Sequence, residues 1–325
     1  MIDLTRLNIL TFNSHQTYNY NLGKIGAKLF IIHEIPGGKM RRWNLCIRPC
    51  PQNVTLISLQ EAEVLYRQNK IDLAICHNLS DLLAIRNWQL KKVLCIHSTV
   101  GGRILTEGSE INHKEWVQMV KSYLSVVKDV YLVSVSFKKA KDWDLETAII
   151  ELGVDPGDYY GYTGTLPMVL TVSNGFKQRG KILGFDIHCA ILGEHRCEIV
   201  GFNRELPDSK PANNWDELKE KYRENRVYLY TALEEYEDGY NTAMLEAMAT
   251  GMPVISYKNN SSPIMDGVNG YISDSISYLR ECLGHLLENK EEAFSLGQET
   301  RKTALQKFGL DQFIEKWERL ITKII

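Results

Sequence analysis

Long apolar stretches are missing from this 325-residue chain. No window offers the roughly 18 uninterrupted apolar residues that a membrane-spanning helix needs. Asp3 and Arg6 interrupt the stretch in which a signal peptide would have its apolar core. The seven cysteines are odd in number and follow no regular spacing, which favours reduced thiols over a secreted disulfide framework. We therefore expect a cytoplasmic protein, with any membrane contact limited to its surface.

Familiar nucleotide and metal motifs are also missing. The chain has no phosphate-binding P-loop and no Gly-x-Gly-x-x-Gly between a predicted strand and a helix. His188, Cys189, His195 and Cys197 are of metal-ligating types, but they fall on a predicted helix and a strand start at spacings that zinc sites do not use. The sequence therefore predicts no metal site.

Charge is nearly balanced overall but not along the chain. The formal net charge is -2 at pH 7, from 38 Lys and Arg against 40 Asp and Glu. Residues 1–155 carry a net charge of +4 and residues 156–325 carry -6. At about 100–200 residues per domain the length indicates two domains, and the charge split indicates that they differ in sign.

Short apolar runs recur through the first half, over residues 7–12, 28–33, 71–76, 92–97 and 130–136. Each is too short for a buried helix and rich in Ile, Val and Leu, as expected for strands covered on both faces of a parallel sheet. Segments with helical spacing lie between them, and one begins at Ser58 with Glu61 three residues later, a capping box. This alternation predicts an α/β fold.

A turn-rich segment over residues 153–162 interrupts the alternation and is predicted to be an interdomain linker. Strands are then predicted over 168–172, 198–201, 227–230 and 254–257, and helices over 181–192, 215–223, 241–250, 275–288 and 290–306. Residues 310–325 have a strong amphipathic pattern. We expect two Rossmann-like domains facing a cleft, with ligands at the carboxyl ends of the strands.

The most informative segment joins the predicted strand 227–230 to the helix that follows it. Gly239 precedes Asn241 and Thr242, which suit a helix start. The free backbone N–H groups at such a start bind anions such as a diphosphate. Asp238 lies at the mouth of this helix, and Glu246 lies within it among apolar neighbours. A lone carboxylate in such surroundings is usually paired or ligating, so we expect Glu246 to accept hydrogen bonds from ligand hydroxyls.

This segment resembles the signature of retaining glycosyltransferases with the glycosyltransferase-B fold, of the family-four type. That motif is Glu-x7-Glu followed by Ala-Met-Ala-x-Gly-x-Pro-Val. Here Asp238 and Glu246 stand at the two acidic positions, residues 247–254 read Ala-Met-Ala-Thr-Gly-Met-Pro-Val, and residues 266–270 (Asp-Gly-Val-Asn-Gly) match the family's next turn. The resemblance implies an acceptor domain over 1–157, a nucleotide-sugar donor domain over 158–309, and a last helix over 310–325 that crosses back to the first domain.

The resemblance also implies a role for each acidic residue. Glu246 would bind the ribose hydroxyls of a nucleotide diphosphate sugar. Asp238 would contact the sugar ring near the reacting carbon and is a catalytic candidate. Asp238 is one methylene shorter than the Glu of the family, and the adjacent Glu237 is an alternative that a shift of register would bring into its place.

A basic segment follows the first strand of the second half. The family has an Arg and a Lys there that hold the diphosphate; in this chain Asn174 occupies the Arg place, Arg179 the Lys place, and Lys177 is a possible substitute cation. A cation that stabilises a leaving diphosphate contributes directly to catalysis, so Arg179 is a catalytic candidate, with Asn174 and Lys177 in donor binding. Since these groups would neutralise the diphosphate, the resemblance implies no metal ion and no resident cofactor.

His97 ends a predicted strand and is followed by Gly101 and Gly102. In the family a His at the end of such a strand faces the donor sugar, which makes His97 a catalytic candidate. The two glycines would let the backbone approach a ligand closely. Asn13 and His15 follow the first strand and complete the acceptor-side candidates, although the glycine-rich loop of the family is not there.

The resemblance thus implies transfer of a hexose from a nucleotide diphosphate sugar to an acceptor with retention of configuration. The acceptor is open: a glycan, a lipid-linked sugar, a protein or a modified nucleobase. Two alternatives remain. One is a non-catalytic glycosyltransferase-like binding subunit, suggested by Asp238 and Asn174. The other is different chemistry on the same fold, such as a sugar-nucleotide epimerase or a phosphorylase.

Overall fold

The structure is a computed structural model that describes residues 3–34 and 42–325. The chain divides into two compact units. The first comprises Met1–Val100, Glu110–Leu152 and Asp311–Ile325, and the second comprises Gly101–Ser109 and Gly153–Leu310. Compared with the predicted domains, the second unit includes residues 101–109 and begins at 153 instead of 158.

The first unit is built on a seven-stranded sheet in which every described pair is parallel. The strand order is β3-β2-β1-β4-β5-β6-β7, a doubly wound arrangement. The strands are β1 (Asn8–Phe12), β2 (Lys28–Glu34), β3 (Val54–Ser58), β4 (Leu73–Cys76), β5 (Lys92–Ile96), β6 (Val130–Ser134) and β7 (Ala148–Ile149).

The second unit has a five-stranded parallel sheet in the order β12-β11-β10-β8-β9. Its strands are β8 (Leu166–Val172), β9 (Cys197–Val200), β10 (Asn225–Tyr230), β11 (Val254–Tyr257) and β12 (Tyr271–Ser273). β10 is buried along its whole length, which agrees with the prediction of strands covered on both faces. Two sheets of this kind confirm the predicted α/β class with two Rossmann-like units.

Helices connect the strands of both sheets. They are α1 (Gln16–Gly23), α2 (Leu59–Arg67), α3 (Leu79–Ala84), α4 (Val100–Glu107), α5 (His113–Leu124), α6 (Phe137–Asp142), α7 (Gly180–Leu183), α8 (Phe185–Leu192), α9 (Trp215–Glu224), α10 (Thr242–Thr250), α11 (Ile276–Glu288), α12 (Lys290–Phe308) and α13 (Leu310–Ile324). Within the described residues, no helix combines the length and apolarity that crossing a bilayer requires.

Local signals explain several of these boundaries. The Ser58 hydroxyl accepts from the Glu61 backbone N–H and the Glu61 carboxylate accepts from the Ser58 N–H, so the predicted capping box of α2 is confirmed. The helix predicted over 181–192 is instead two helices. Gly184 separates them with φ +67°, a backbone conformation that interrupts a helix and that other residues rarely adopt.

Candidate functional site

Ligands of doubly wound sheets bind at the carboxyl ends of the strands, where the strand order reverses. In the second unit the reversal falls between β8 and β10, and in the first it falls between β1 and β4. The loops that follow these strands therefore define two candidate regions, one in each unit.

In the second unit, the loops after β8 and β9 line a cavity of about 860 Å³. Its lining includes the cations Lys177, Arg179 and Arg204 and the carboxylate of Glu205. Lys177 and Arg179 are exposed, so their charges are available to a ligand. Together with Asn174, which also lines the cavity, these residues are the predicted basic segment, and their excess of positive charge attracts anions.

Asparagine side chains fix the shape of this cavity. The side-chain oxygen of Asn174 accepts a hydrogen bond from the Phe202 backbone N–H at 2.8 Å, which ties the loop after β8 to the loop after β9. Asn203 makes the reciprocal tie, since its amide donates to the Ser173 carbonyl (2.8 Å) and its oxygen accepts from the Phe176 N–H (2.7 Å). Asn203 is a cavity residue that the sequence did not single out, because nothing local distinguishes it from an ordinary turn asparagine.

Helix α10 starts where the sequence predicts. Asn241 is its N-cap, and the side-chain oxygen accepts from the Met244 backbone N–H at 2.9 Å. Thr242 is the first helical residue. Gly239 is required just before the helix because a Cβ at that position would overlap the backbone of Ser262. The first N–H groups of this helix are therefore held in place beside the end of β10, where they suit an anion.

Asp238 is almost fully buried, with 1% of its surface exposed. Its backbone is fixed from two sides: the Tyr230 hydroxyl donates to its carbonyl oxygen (2.8 Å), and its N–H donates to the Glu237 side chain (3.0 Å). Glu237 thus takes part in shaping the loop, and Asp238 is the buried member of the pair.

Glu246 is also buried, with 4% exposed, in a helix whose residues 244–250 are all buried. The hydroxyl of Tyr222, from α9, donates to Glu246 Oε2 at 3.0 Å. Burying a carboxylate costs free energy unless a hydrogen-bond partner compensates. Glu246 has such a partner in Tyr222, so it is not an ordinary solvated helix residue. Tyr222 could not be identified from the sequence, since the contact joins residues 24 positions apart in different helices.

A narrower cavity of about 20 Å³ lies between the ends of β8 and β10. Its lining extends from Ser173 through Tyr230 to Asn241, so it reaches the N-cap of α10. Neither Asp238 nor Glu246 is among the described residues that line the two cavities. The basic loop and the start of α10 therefore share one edge of the sheet, and the two carboxylates are buried at and within α10.

Three histidines come together in the first unit. His15 follows β1, His77 follows β4 and His97 follows β5. The His15 ring stacks on the His97 ring at a centroid distance of 4.1 Å, and His77 Nδ1 lies 2.9 Å from His97 Nε2. Two of these residues were predicted. His77 was not predicted as a site residue. Its position directly after a buried strand is the feature of the sequence that could have indicated it.

The other acceptor-side candidates belong to different units. Asn13 is buried after β1, and its N–H donates to the Ile32 carbonyl at 2.9 Å. Gly101 and Gly102 belong to α4 and to the second unit. A Cβ on Gly101 would lie 3.2 Å from the Glu235 carbonyl oxygen. The close approach at this glycine is therefore to another part of the protein backbone.

Tyr18 packs edge-on against the histidines, with centroid distances of 5.4 Å to His77 and 4.8 Å to His97. Trp317 of α13 donates from Nε1 to the Tyr18 hydroxyl at 3.2 Å, and the Phe313 ring lies 5.4 Å from the Tyr18 ring. The last helix therefore supports the histidine cluster of the first unit through Tyr18.

Burial shifts the pKa of two groups in this cluster. It lowers the pKa of His97 well below the usual value, and charges on His15, His77 and Lys139 lower it further. Burial also raises the pKa of the neighbouring Cys95 thiol. His97 is therefore neutral near pH 7 and can both donate and accept a hydrogen bond.

The cysteine and histidine pattern over residues 188–197 has a different role. His188 Nε2 lies 2.9 Å from Thr171 Oγ1 and 4.0 Å from Cys197 Sγ, in the interior of the second unit. Where the structure describes the chain, the one group of three potential metal ligands within 4.8 Å of each other is His77, Cys95 and His97.

Searches of protein-family models and of curated protein sequences find no match to the chain. Solved structures do match. A complex of Anabaena HepE with UDP and glucose is 12% identical with a TM-score of 0.72, over 97% of this chain and 99% of HepE. Sucrose-phosphate synthase from Thermosynechococcus elongatus is 12% identical with a TM-score of 0.71, over 98% and 99% of the two chains.

A variant of S. aureus TarM, in complex with fondaparinux, alpha-GlcNAc-glycerol and UDP, is 16% identical with a TM-score of 0.59. The match covers 77% of this chain, which spans only 55% of the length of TarM. At these identities the comparisons establish the fold, and it is the glycosyltransferase-B fold that the motif around Glu246 predicts.

Proposed function

We propose that the chain is a glycosyltransferase that moves a sugar from a nucleotide diphosphate sugar to a glycan-type acceptor. The observation that carries the proposal is the combination, on one Rossmann-like unit, of the basic loop after β8 with the capped start of α10 and its buried Glu246. The first two suit a diphosphate, and a buried carboxylate suits ribose hydroxyls. Structures of this fold in complex with UDP and sugars support the same assignment.

The proposed donor contacts follow from this arrangement. Lys177 and Arg179 would hold the diphosphate together with the N–H groups of α10, and Glu246 would accept from the ribose hydroxyls. Such donors also stabilise the charge that develops on the leaving diphosphate. In this proposal the diphosphate needs no divalent ion, since Lys177, Arg179 and the N–H groups of α10 would neutralise its charge.

The proposed chemistry retains the configuration of the sugar. The bond from the anomeric carbon to the diphosphate breaks, the acceptor oxygen bonds on the same face, and a diphosphate oxygen takes the acceptor proton. Asp238 would orient the sugar ring of the donor.

The acceptor is expected to meet the first unit. That unit carries 21 Lys and Arg against 16 Asp and Glu, a net charge of +5, which favours an anionic acceptor such as a lipid-linked sugar phosphate at a membrane surface. Pelleting with vesicles tests this part alone. Equal binding to neutral and anionic lipid would remove the lipid-linked acceptor and leave the donor assignment untouched.

The decisive experiment has two stages. Thermal shift with UDP, GDP and ADP identifies the nucleotide, and a panel of the matching nucleotide sugars is then assayed for nucleoside diphosphate release with candidate acceptors. Glu246→Gln should abolish nucleotide stabilisation, whereas Glu291→Gln, on the exposed surface of α12, should leave it unchanged. Unchanged nucleotide binding by Glu246→Gln would refute the ribose role, and NMR of the product linkage would decide retention.

A non-catalytic nucleotide-binding subunit is the second candidate. The observation that favours it is the neutral Asn174 amide, whose oxygen accepts from the Phe202 N–H, at the place where the family that the motif resembles has an Arg. Stabilisation by a nucleoside diphosphate without release from any sugar donor, with acceptors present, would select this candidate.

A further inference from the structure

The histidine cluster of the first unit includes a thiol that the proposed function does not use. Strand register explains how it arises. β4 and β5 are parallel neighbours with Cys76 opposite Leu94, so His77 comes opposite Cys95, and His97 projects from the same face two residues later. One nitrogen of each histidine and the sulfur of Cys95 all lie within 4.8 Å of one another.

Hydrogen bonds fix which nitrogen of His77 faces this group. The Asn19 amide nitrogen donates to the Phe12 carbonyl at 2.8 Å, which leaves Asn19 Oδ1 pointing at His77 Nε2, 2.9 Å away. The Thr11 hydroxyl lies 3.0 Å from the same nitrogen and donates to Asn19 Oδ1. An amide oxygen can only accept, so we assign the proton to Nε2. In the neutral ring Nδ1 then has a lone pair, and it points at His97 Nε2. A hydrogen bond from the distal nitrogen of a histidine to an oxygen acceptor is the usual support of a metal-binding histidine.

A buried carboxylate is hydrogen-bonded to the backbone of His77. Asp81 is buried, and its Oδ2 accepts from the His77 backbone N–H at 3.0 Å and from the Ser14 hydroxyl at 3.0 Å. A thiolate at Cys95 would offset one positive charge of a divalent ion, and the Asp81 carboxylate is the acidic group beside His77 that acts with it against the ion and the nearby buried Lys139. This pairing matters because an uncompensated charge is costly at a buried site.

We propose that His77 Nδ1, Cys95 Sγ and His97 Nε2 form a mononuclear zinc site in the first unit. Thiolate and imidazole ligands select zinc and similar ions over magnesium, calcium or manganese. Three protein ligands leave the fourth tetrahedral position open, as in zinc sites that bind water or a substrate. His97 is partly exposed whereas His77 and Cys95 are buried, so the ion would be reached from the His97 side.

The two histidine nitrogens already stand close to the separation that zinc requires. With Zn–N bonds of about 2.0–2.1 Å and tetrahedral angles, the two nitrogens stand about 3.3 Å apart, against 2.9 Å in the structure. The proton on His97 Nε2 would move to Nδ1 of the same ring, which frees Nε2 for zinc, and the Cys95 proton would pass to solvent as the thiolate binds.

Cobalt titration of the full chain, after treatment with a chelator, tests the site. One equivalent of Co²⁺ should produce the intense visible bands of tetrahedral cobalt and a thiolate-to-cobalt charge-transfer band, and Zn²⁺ should abolish both. Cys95→Ser should remove the charge-transfer band, and His77→Ala or His97→Ala should weaken cobalt affinity at least tenfold. Cys76→Ser removes a buried thiol one residue before His77. It is the matched control and should keep the full spectrum.

Two results would overturn the proposal: no charge-transfer band in the folded wild-type chain, or a band that survives Cys95→Ser. Should Cys95→Ser fail to fold, X-ray absorption of the zinc-loaded wild type identifies the ligands directly, with one sulfur and two imidazoles expected and an all-nitrogen and oxygen shell refuting the site. Nucleotide stabilisation measured on the same metal-free samples shows whether the donor assignment stands independently.

Discussion

The hydroxyl of Tyr222 donates to the buried carboxylate of Glu246 inside the second unit. Tyr222→Phe keeps the ring but removes the donor, so we expect the free energy of unfolding to fall by about 2 kcal/mol, the usual value of a hydrogen bond to a buried charged group. Denaturant titration measures this loss. Nucleotide affinity should fall as well, because the carboxylate loses the group that orients it.

The control for this prediction is Tyr160→Phe, at an exposed tyrosine of the same unit. It should change neither quantity. Equal stability of Tyr222→Phe and the wild type would show that the hydroxyl contributes nothing to holding Glu246.

His188 predicts a specific dependence of stability on pH. Burial lowers its pKa from 6.5 to about 4, so the unfolded chain binds a proton more readily than the folded chain between these values. The stability that His188 contributes is therefore complete above pH 6.5 and is lost as the pH falls through 4, by about 3 kcal/mol in all. Replacing it, as in His188→Asn, should flatten the stability profile over this range.

The measurement is the difference in unfolding free energy between wild type and variant at several pH values from 7 to 4. His195→Asn, at a half-exposed histidine of the same unit, should follow the wild-type profile. A difference that does not change with pH would contradict the assignment.

Sequence signals at the residue scale are reliable where the chemistry is local. The cap at Asn241 could be predicted because a capping side chain is adjacent to its helix in the sequence. The burial of Glu246 could be predicted because its neighbours in the helix are apolar. His77 and Asn203 depend on which strands and loops become neighbours. Their roles come from sheet order and could not be predicted from nearby residues.

Gly184 controls the break between α7 and α8. Its φ of +67° disfavours any side chain, and a Cβ there would overlap the carbonyl oxygen of Thr231. Gly108 has a similar φ of +61° but nothing within 4 Å of its Cβ position. Gly108→Ala should therefore cost about 1–2 kcal/mol for the left-handed backbone alone, and Gly184→Ala should cost clearly more.

Thermal or denaturant unfolding of both variants gives the comparison. The difference between them isolates the steric contact with Thr231, because the backbone penalty is common to both. Equal losses would mean that the chain around Thr231 yields to the added methyl group.

Elements with strong patterns were predictable and exposed or polar ones were not. The central strands appear as continuous apolar runs because both faces are buried. β3 and β12 lie at sheet edges and are partly exposed, so neither shows such a run. α1 was not predicted because its buried face includes the polar Asn19, which is there to bond the Phe12 carbonyl and His77.

Trp317 is the largest fully buried side chain of the described residues and belongs to α13. Trp317→Ala should destabilise the first unit by about 3–5 kcal/mol, through the cavity it leaves. Because Tyr18 would lose its bond to the indole, hydrogen exchange should quicken in β1, β4 and β5 while β8 and β10 keep their protection.

Trp215→Ala is the matched control, at a partly exposed tryptophan of the second unit. Exchange in the first unit should be unaffected by it. Faster exchange throughout both units in Trp317→Ala would show that the role of α13 is not confined to the first unit.

At the scale of the whole molecule, the sequence predicted two Rossmann-like units and a charge difference between them. Assigned by unit, the charges become +5 for the first and -7 for the second, a wider separation than a simple cut of the chain gives. The assignment of residues 101–109 to the second unit was not predictable, because Gly101 approaches a carbonyl oxygen more than 130 positions away, a contact that no local pattern reports.

The position of α13 also sets the order in which the molecule can be completed during translation. Tyr18 is synthesised early, but its partners Phe313 and Trp317 emerge only after the whole second unit. At about 5–20 residues per second, the ribosome takes roughly 10–30 s to pass from residue 152 to α13. The unit that begins first is thus finished last, and its histidine cluster stays without its support throughout that interval.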